Sequence, residues 1–403
     1  MNRRLLHLTV ENFRTLTRVE LPLKPLTVMV GPNAAGKSNV LHVFEFLADI
    51  SRSGIDASLE ALGGYPEVSY RGGARSPASM RIGVQGMWTE HATESEPDSY
   101  DISLLYRRRA HGELDEYVLS RNERFVQHPR PDGPAVIELQ RTAASVSSQE
   151  PANRQTERLV VGRMDSALHT KLALPSNAPS LTAMQTLSEH LRDIRVFDVD
   201  VRAARRPSPI GFPGLLLAND ASNLADFLME LRGEDDVWEA LMDDIRTVLP
   251  HIEDIEVRPV TGRGDRVTVL LKERGLRGTT RLADASFGTI RLLCLLTLFH
   301  DPHPPVMTCI EEIDHGIHPH ALELLALRLR EASERTQFLV TTHSPVFVDR
   351  LEPEEFVVCE RDDLGRSRIP AISTERIHSI IEASEGLPLG ELWFSGSVGG
   401  SAW

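Results

Sequence analysis

Over the first thirty positions the apolar residues come in short runs. LLHLTVENF, TRVELPL and LTVMV predict strands, the first two in hairpin order. The rhythm then changes: Val40, Leu41, Val43, Phe44 and Leu47 fall on one side of a 3.6-residue period and predict an amphipathic helix from Ser38 onward. From about residue 80 to about 165 the pattern alternates. ASMRIGVQGMW, YDISLLYRRR, DEYVLSRNERFV, AVIELQR and ERLVVGR read as antiparallel strands joined by polar loops such as SSQEPANRQTER. Helical spacing returns in SLTAMQTLSEHLRDI, NLADFLMELR and VWEALMDDIRTVL, followed by two more strands, IEDIEVRPV and RVTVLLKER. The last third predicts a helix over 290–299, a strand over 306–310, a helix over 320–332 and a strand over 337–342. Strand and helix in alternation produce a parallel α/β sheet. The early strand and the late block are therefore expected in one sheet, about 200 residues apart in sequence.

The junction between the strand ending at Val30 and the helix from Ser38 carries chemistry. Gly31, Pro32, Asn33, Ala34, Ala35, Gly36, Lys37 and Ser38 fit G-x-x-x-x-G-K-[ST] without a mismatch, and Asn39 follows directly. Glycines let several backbone N–H groups converge on one anion, and the following helix aims its positive end at the same point. Lys37 is placed to reach the β- and γ-phosphates and Ser38 to bind Mg²⁺. The expected ligand is a nucleoside triphosphate with Mg²⁺.

Hydrolysis requires carboxylates at a strand end. In PVMTCIEEIDHGIHP the apolar strand runs straight into Glu311 and Glu312, a pair too costly to bury without a metal and a water to use it. Glu311 is assigned to the Mg²⁺ shell and Glu312 to the attacking water. The strand in QFLVTTHSP ends at Thr342, His343 and Ser344, so His343 can hydrogen-bond a terminal phosphate. In DASFGTIRLLCLLTLF, Ser286 is a good helix N-cap and Gly288 permits close backbone approach. The helix from Thr289 to Phe299 is apolar nearly all round, with an N-terminus that can receive an anion.

Composition narrows the setting. The chain has 403 residues, 41% of them hydrophobic, enough for a sizeable core. Net charge is −14, from 44 basic and 58 acidic residues, which disfavours an overall electrostatic grip on nucleic acid. Arg107-Arg108-Arg109 and Arg205-Arg206 are the local basic candidates; each is read as solvated surface charge, with a nucleic-acid face as the alternative. Cys294, Cys309 and Cys359 lie far apart in apolar runs without metal-ligand spacing, so they read as small buried hydrophobes in a reducing compartment. No signal-peptide core and no run of about 18 apolar residues is present, so a cytoplasmic location without a membrane partner is expected.

In combination, GPNAAGKS, SFGT, the strand ending in Glu-Glu and TTHSP resemble the ABC-type ATPases of the SMC/RecF group. More closely, the chain is similar to bacterial AAA family ATPases of the AAA_21 type, relatives of the overcoming-lysogenization-defect (OLD) nucleases. The likeness extends to VENFRTL, NDASNLADFL, IEEIDHGIHPHALELL, THSPVFVDRL and GELWFSGSVGG, covering residues 1–50 and 210–400. It implies an α/β fold, an ABC/SMC-head-like P-loop NTPase with a mixed central sheet, an antiparallel β lobe and a helical lobe. One bilobed head is expected over 1–403: an N-terminal lobe (1–85), a mostly β insertion of unassigned role (86–190), a helical and strand region (191–280) and a lobe with signature, carboxylates and switch histidine (281–403). The resemblance also implies that two heads sandwich two ATPs. Ser286 and Gly288 would then touch the γ-phosphate held by the partner's loop, and Asp314 to His318 would cross the dimer interface. Arg14 would approach the nucleotide from the N-terminal hairpin, and Gln85 is the candidate for a first-lobe glutamine that contacts Mg²⁺. Two departures stand out. Ile313, Asp314 and His315 replace the usual Pro-Glu-Asn, and Phe287 stands where the ABC pattern prefers glycine.

Relatives of this type often carry a Toprim nuclease after the head. Glu360, Asp362 and Asp363 invite a metal reading, but only 60 residues follow His343 and an acidic turn is the simpler account. The reading is an ATPase, converting ATP and water to ADP and phosphate, that dimerises on ATP. Its dimerisation would switch DNA binding or a separately encoded nuclease or toxin effector, in phage defence or DNA maintenance. The alternative is a nucleotide-gated assembly protein with slow hydrolysis and no DNA role; a transporter's ATPase subunit fits the N-terminal hairpin and TTHSP ending less well.

Overall fold

The computed structural model describes residues 4–72, 77–111, 114–127, 135–140, 143–148, 156–160, 163–169, 179–211 and 216–399. Five strands form a parallel sheet in the order Ile194–Phe197, Met307–Ile310, Gln337–Thr342, Leu26–Val30, Phe356–Val358. Residues far apart in sequence are thus neighbours, as the alternation of strand and helix predicts. The strand ending before His343 lies between the phosphate-loop strand and the carboxylate strand. All five residues of Leu26–Val30 are buried, which explains a run without polar alternation.

Two cores lie on opposite faces of this sheet, and side chains alternate between them along each strand. Leu26, Val28, Val30, Ile310, Phe338 and Val340 face one core, shared with helices Leu224–Leu231, Asp235–Val248, Phe287–Phe299 and Pro319–Ser333. Met29, Met307, Cys309 and Leu339 face the other, shared with helices Lys37–Ser53 and Pro179–Arg192. All three cysteines are buried.

The second core is closed by an antiparallel sheet of eight strands, in the order Val19–Pro22, Leu5–Glu11, Ser79–Gly86, Asp98–His111, Leu114–Gln127, Ala135–Gln140, Ala143–Ser148, Thr156–Val160. The strands beyond residue 86 therefore continue the N-terminal hairpin's sheet as a meander. Gln337 joins the two sheets. Its Oε1 accepts from Leu5 N at 2.6 Å and its Nε2 donates to Leu5 O at 2.8 Å, a side chain taking the place of a ladder pair. On the meander, buried Glu123 accepts from Ala167 N at 2.9 Å and Arg121 Nε donates to Asp165 O at 2.5 Å, pinning residues 163–169 against it. Burial pushes the Glu123 carboxyl up to about 7.

A smaller antiparallel sheet, Ser208–Pro209, Arg263–Glu273 and Ile252–Val260 with Thr279–Arg281 on the long strand, leads into the helix Phe287–Phe299. Among the described residues no helix is long and apolar enough to cross a membrane.

Candidate functional site

The phosphate loop leaves the parallel sheet at Val30 and enters its helix at Lys37. Two of its glycines are required by space as well as by conformation. A Cβ on Gly31 (φ 148°) would lie 2.1 Å from the Cys359 carbonyl oxygen. One on Gly36 (φ 103°) would lie 2.1 Å from Ser367 Oγ and 3.1 Å from Thr15 Oγ1. Pro32 follows Gly31 at the loop's start, and Asn33 and Ala34 form its exposed tip, Ala34 with φ 63°. Ala35 is buried beneath it. Lys37 is only 7% exposed, and its Nζ folds back to donate to Gly31 O at 2.7 Å and Pro32 O at 3.0 Å. Burial lowers its pKa, opposed by the nearby carboxylates of Glu312, Glu311 and Asp314.

Ser38 Oγ donates to Glu311 Oε1, joining residues 273 positions apart. The two share a cleft of about 180 Å³ with Thr15, Asn33, Lys37, Glu312, Thr341 and His343. Asn39 Nδ2 donates to Thr15 Oγ1 at 2.7 Å, and Thr15 Oγ1 lies 2.7 Å from Ser367 Oγ. Arg14, itself at φ 47°, places Nη1 2.6 Å from His42 Nδ1 and 3.5 Å from Asn39 Oδ1. It does not line the phosphate cleft but a wider recess of about 530 Å³, with Tyr70, Arg71 and Leu364; Thr15 and Arg361 line both cavities.

Opposite the loop, Glu312 adopts the left-handed region (φ 46°). Its N–H donates to Thr341 Oγ1 at 2.8 Å, and Arg291 Nη2 donates to its carbonyl at 2.7 Å and to that of Glu311 at 3.0 Å. His315 Nδ1 lies 3.0 Å from Glu312 Oε2, and this hydrogen bond, with lesser help from His343 and Lys37, lowers the Glu312 pKa. Asp314 Oδ1 accepts from Thr342 Oγ1 at 2.6 Å and from the His343 N–H at 3.2 Å. Burial first, then the Lys37 charge, lowers the His343 pKa, so its ring is neutral at pH 7.

Ser286 and Gly288 stand apart from this cleft. Ser286 Oγ accepts from Thr289 N at 3.1 Å and caps the helix Phe287–Phe299. A Cβ on Gly288 would come within 2.6 Å of Gly316 O, and one on Gly316 within 2.6 Å of Phe287 Cε1, so the signature turn packs tightly on the Asp314–His318 segment.

Gln85 calls for a correction. It lies exposed on the antiparallel sheet, paired with His7 and Ser99, and the cleft's walls do not include it, so it is not carried forward as a Mg²⁺ contact. The acidic turn reading after His343 fits the structure. Asp362 accepts from the N–H groups of Leu364 and Arg366, as the capping residue of a turn does. Arg107, Arg205 and Arg206 are exposed; the side chains of Arg108 and Arg109 lie outside the described residues. Sequence reading missed Thr15, Arg291, Thr341, Arg361 and Ser367. Arg291 and Thr341 left a signal, as polar residues in largely apolar runs; Thr15 follows Arg14 in VENFRTL without a chemical cue of its own, and Arg361 and Ser367 lie in two short strands without a motif.

Comparisons with known proteins place the chain in a family and a fold. Residues 96–349 match the family described as "AAA domain, putative AbiEii toxin, Type IV TA system", and residues 4–91 match the "AAA ATPase domain". A 40-residue stretch is 50% identical to the OLD nuclease of Thermus scotoductus, covering 10% of this chain and 8% of that protein. A 60-residue stretch is 42% identical to the DNA replication and repair protein RecF of Streptomyces avermitilis, covering 14% of this chain and 16% of that protein. The chain thus matches well under a fifth of either relative's length. Among solved structures, the Smc head bound to the C-winged helix domain of ScpA is similar with a TM-score of 0.53 at 16% identity, covering 93% of this chain and 99% of that one, a likeness of fold. The chain belongs to the AAA ATPase family matched over residues 96–349, and its fold is that of an SMC/RecF-like head.

Proposed function

We propose that this protein binds and hydrolyses ATP, and that ATP closes two copies face to face so that each completes the other's site. The observation that carries the reading is the hydrogen bond from Ser38 to Glu311. It brings a phosphate-loop hydroxyl and a strand-end carboxylate together as hard oxygen ligands of the kind Mg²⁺ takes. That ion would offset charge on the phosphate oxygens. Gly31 to Ser38 wrap the β- and γ-phosphates with backbone N–H groups, and Lys37 exchanges its two loop carbonyls for phosphate oxygens. Asn39 steadies Thr15 at the cleft's edge. Arg14 lines the wider recess, whose volume of about 530 Å³ suits a base and ribose.

Glu312, kept ionised by its lowered pKa, orients a water and accepts its proton. His343, neutral, donates one ring N–H to a terminal phosphate oxygen. Ser286 and Gly288, outside the lining of their own cleft, offer a capped helix N-terminus to the γ-phosphate of the partner. Asp314 to His318 run between the two sites.

In this reading the closed dimer grips DNA or licenses a separately encoded nuclease or toxin, in phage defence or DNA maintenance. The toxin description of its family and the RecF and OLD stretches support it. One observation favours the alternative of a nucleotide-gated assembly timer that never touches DNA: the net charge of −14. Duplex DNA binding measured with and without ATP between 50 and 200 mM salt separates the two. ATP-dependent binding that weakens steeply with salt supports the DNA reading, since phosphate contacts release counterions. Absence of binding at every salt, with phosphate release intact, leaves the timer. No phosphate release at any protein concentration overturns both.

A further inference from the structure

Within the helix Phe287–Phe299, sequence FGTIRLLCLLTLF, Arg291 is the one charged residue. It is 5% exposed, and its Nε has no hydrogen-bond partner. A buried guanidinium is expensive unless it has work to do. Its Nη2 donates to two consecutive carbonyls, Glu311 O at 3.0 Å and Glu312 O at 2.7 Å. Those carbonyls flank a residue in the left-handed region, a conformation that a glutamate holds only when its surroundings enforce it. Thr341 Oγ1 pins the N–H side of Glu312 and Arg291 pins the carbonyl side. A simple core role would need an aliphatic residue here, as at neighbouring Ile290 and Leu292, both buried.

We propose that Arg291 is a positioning residue for Glu312. By gripping the turn at both carbonyls it keeps the Glu312 carboxylate aimed into the cleft beside Lys37 and His343. Five positions before it on the same helix stands the Ser286 cap, so the attitude of the signature turn and that of the catalytic carboxylate are set by one rigid element. The inference rests on the reading of Glu312 as the group that activates water.

The test uses the full chain as wild type, Arg291→Met, Arg291→Lys, Glu312→Gln and the Arg291→Met/Glu312→Gln pair. Phosphate release and binding of a fluorescent ATP analogue with Mg²⁺ are measured for each. Arg291→Met is expected to bind nucleotide within about twofold of wild type while kcat falls on the order of tenfold or more, the scale of losing a hydrogen bond from a charged donor. Arg291→Lys, which keeps one donor, is expected to recover part of kcat at unchanged affinity. It carries the test should the methionine variant not fold. In the Glu312→Gln background, Arg291→Met is expected to lower residual turnover no further, because it acts only through that carboxylate. A wild-type kcat in Arg291→Met, or in Arg291→Lys if the methionine variant fails to fold, overturns the proposal. So does a fall in kcat of equal size with and without Glu312. A wild type that releases no phosphate overturns the ATPase assignment, and a Glu312→Gln variant that turns over at the wild-type rate overturns the role of Glu312; either takes the inference with it.

Discussion

Asp244→Asn tests how the helical lobe is held. The Asp244 carboxylate, with its side chain 3% exposed, accepts from Arg328 Nε and Nη2, each at 2.7 Å, and lies 2.7 Å from His300 Nε2. Those partners end the helix Phe287–Phe299 and sit on Pro319–Ser333, so one carboxylate ties three helices together. Asparagine keeps the volume, removes the charge and can turn an N–H₂ toward the Arg328 guanidinium. Breaking a buried pair costs about 3–5 kcal/mol. Arg328 is 30% exposed and also binds Glu331 at 2.6 Å, so it can relax and the lower end applies, about 3 kcal/mol. Unfolding entropy of about 2.1 cal/mol/K per residue makes one kcal/mol worth little more than 1 °C in a cooperative unit of 403 residues. A fall in melting temperature of about 4 °C at pH 7 follows, read by circular dichroism. The pH dependence has a definite sign. Burial alone would raise the Asp244 pKa, but the hydrogen bonds from His300 and Arg328 prevail and lower it. A depressed carboxylate pKa stabilises the fold above the unfolded value of about 3.9 and loses that contribution as pH falls through the folded value. The gap between wild type and variant should stay constant above about pH 5 and narrow below about pH 4. A variant melting within about 1 °C of wild type at pH 7 would refute the reasoning.

Lys37→Ala removes the buried ammonium that the loop holds ready and is expected to abolish ATP binding, measured by fluorescent-nucleotide titration; retained affinity would count against the loop's assignment. Ser286→Arg places a long cation at the exposed signature cap. It should leave nucleotide binding by the monomer intact while removing the dependence of ATPase rate on protein concentration. An unchanged concentration dependence would speak against a shared site.

Local patterns made much of this molecule legible. The phosphate loop declares itself because Gly31 and Gly36 sit where no Cβ fits and Lys37 follows at fixed spacing. Glu311 and Glu312 declare themselves because two carboxylates directly follow the fully buried strand Met307–Ile310. Helix Phe287–Phe299 begins three residues before the predicted 290, because its Ser286 cap accepts from Thr289 and fixes the first turn. Longer connections were not legible. Nothing in the alternation of residues 80–165 says that those strands extend the hairpin at residues 5–22, since pairing order among half-buried strands is set by packing on a shared core. The contact of Thr15 with Ser367, 352 positions away, has no signature in either stretch. Gln85 shows the opposite failing: a glutamine offered as a metal contact on residue type alone lies exposed on the antiparallel sheet, outside the cleft's lining. Arg291 was visible as a single charge in an apolar helix, yet its targets are backbone carbonyls, which sequence does not advertise.

The central claim is that ATP is held between two copies, with Glu312 completing its hydrolysis. Size-exclusion chromatography with light scattering on Glu312→Gln, with and without Mg²⁺ and ATP, tests it most directly. The account predicts a monomer without nucleotide and a stable dimer with ATP, alongside phosphate release far below wild type. A Glu312→Gln protein that remains monomeric with bound ATP, or that hydrolyses it at the wild-type rate, would contradict it.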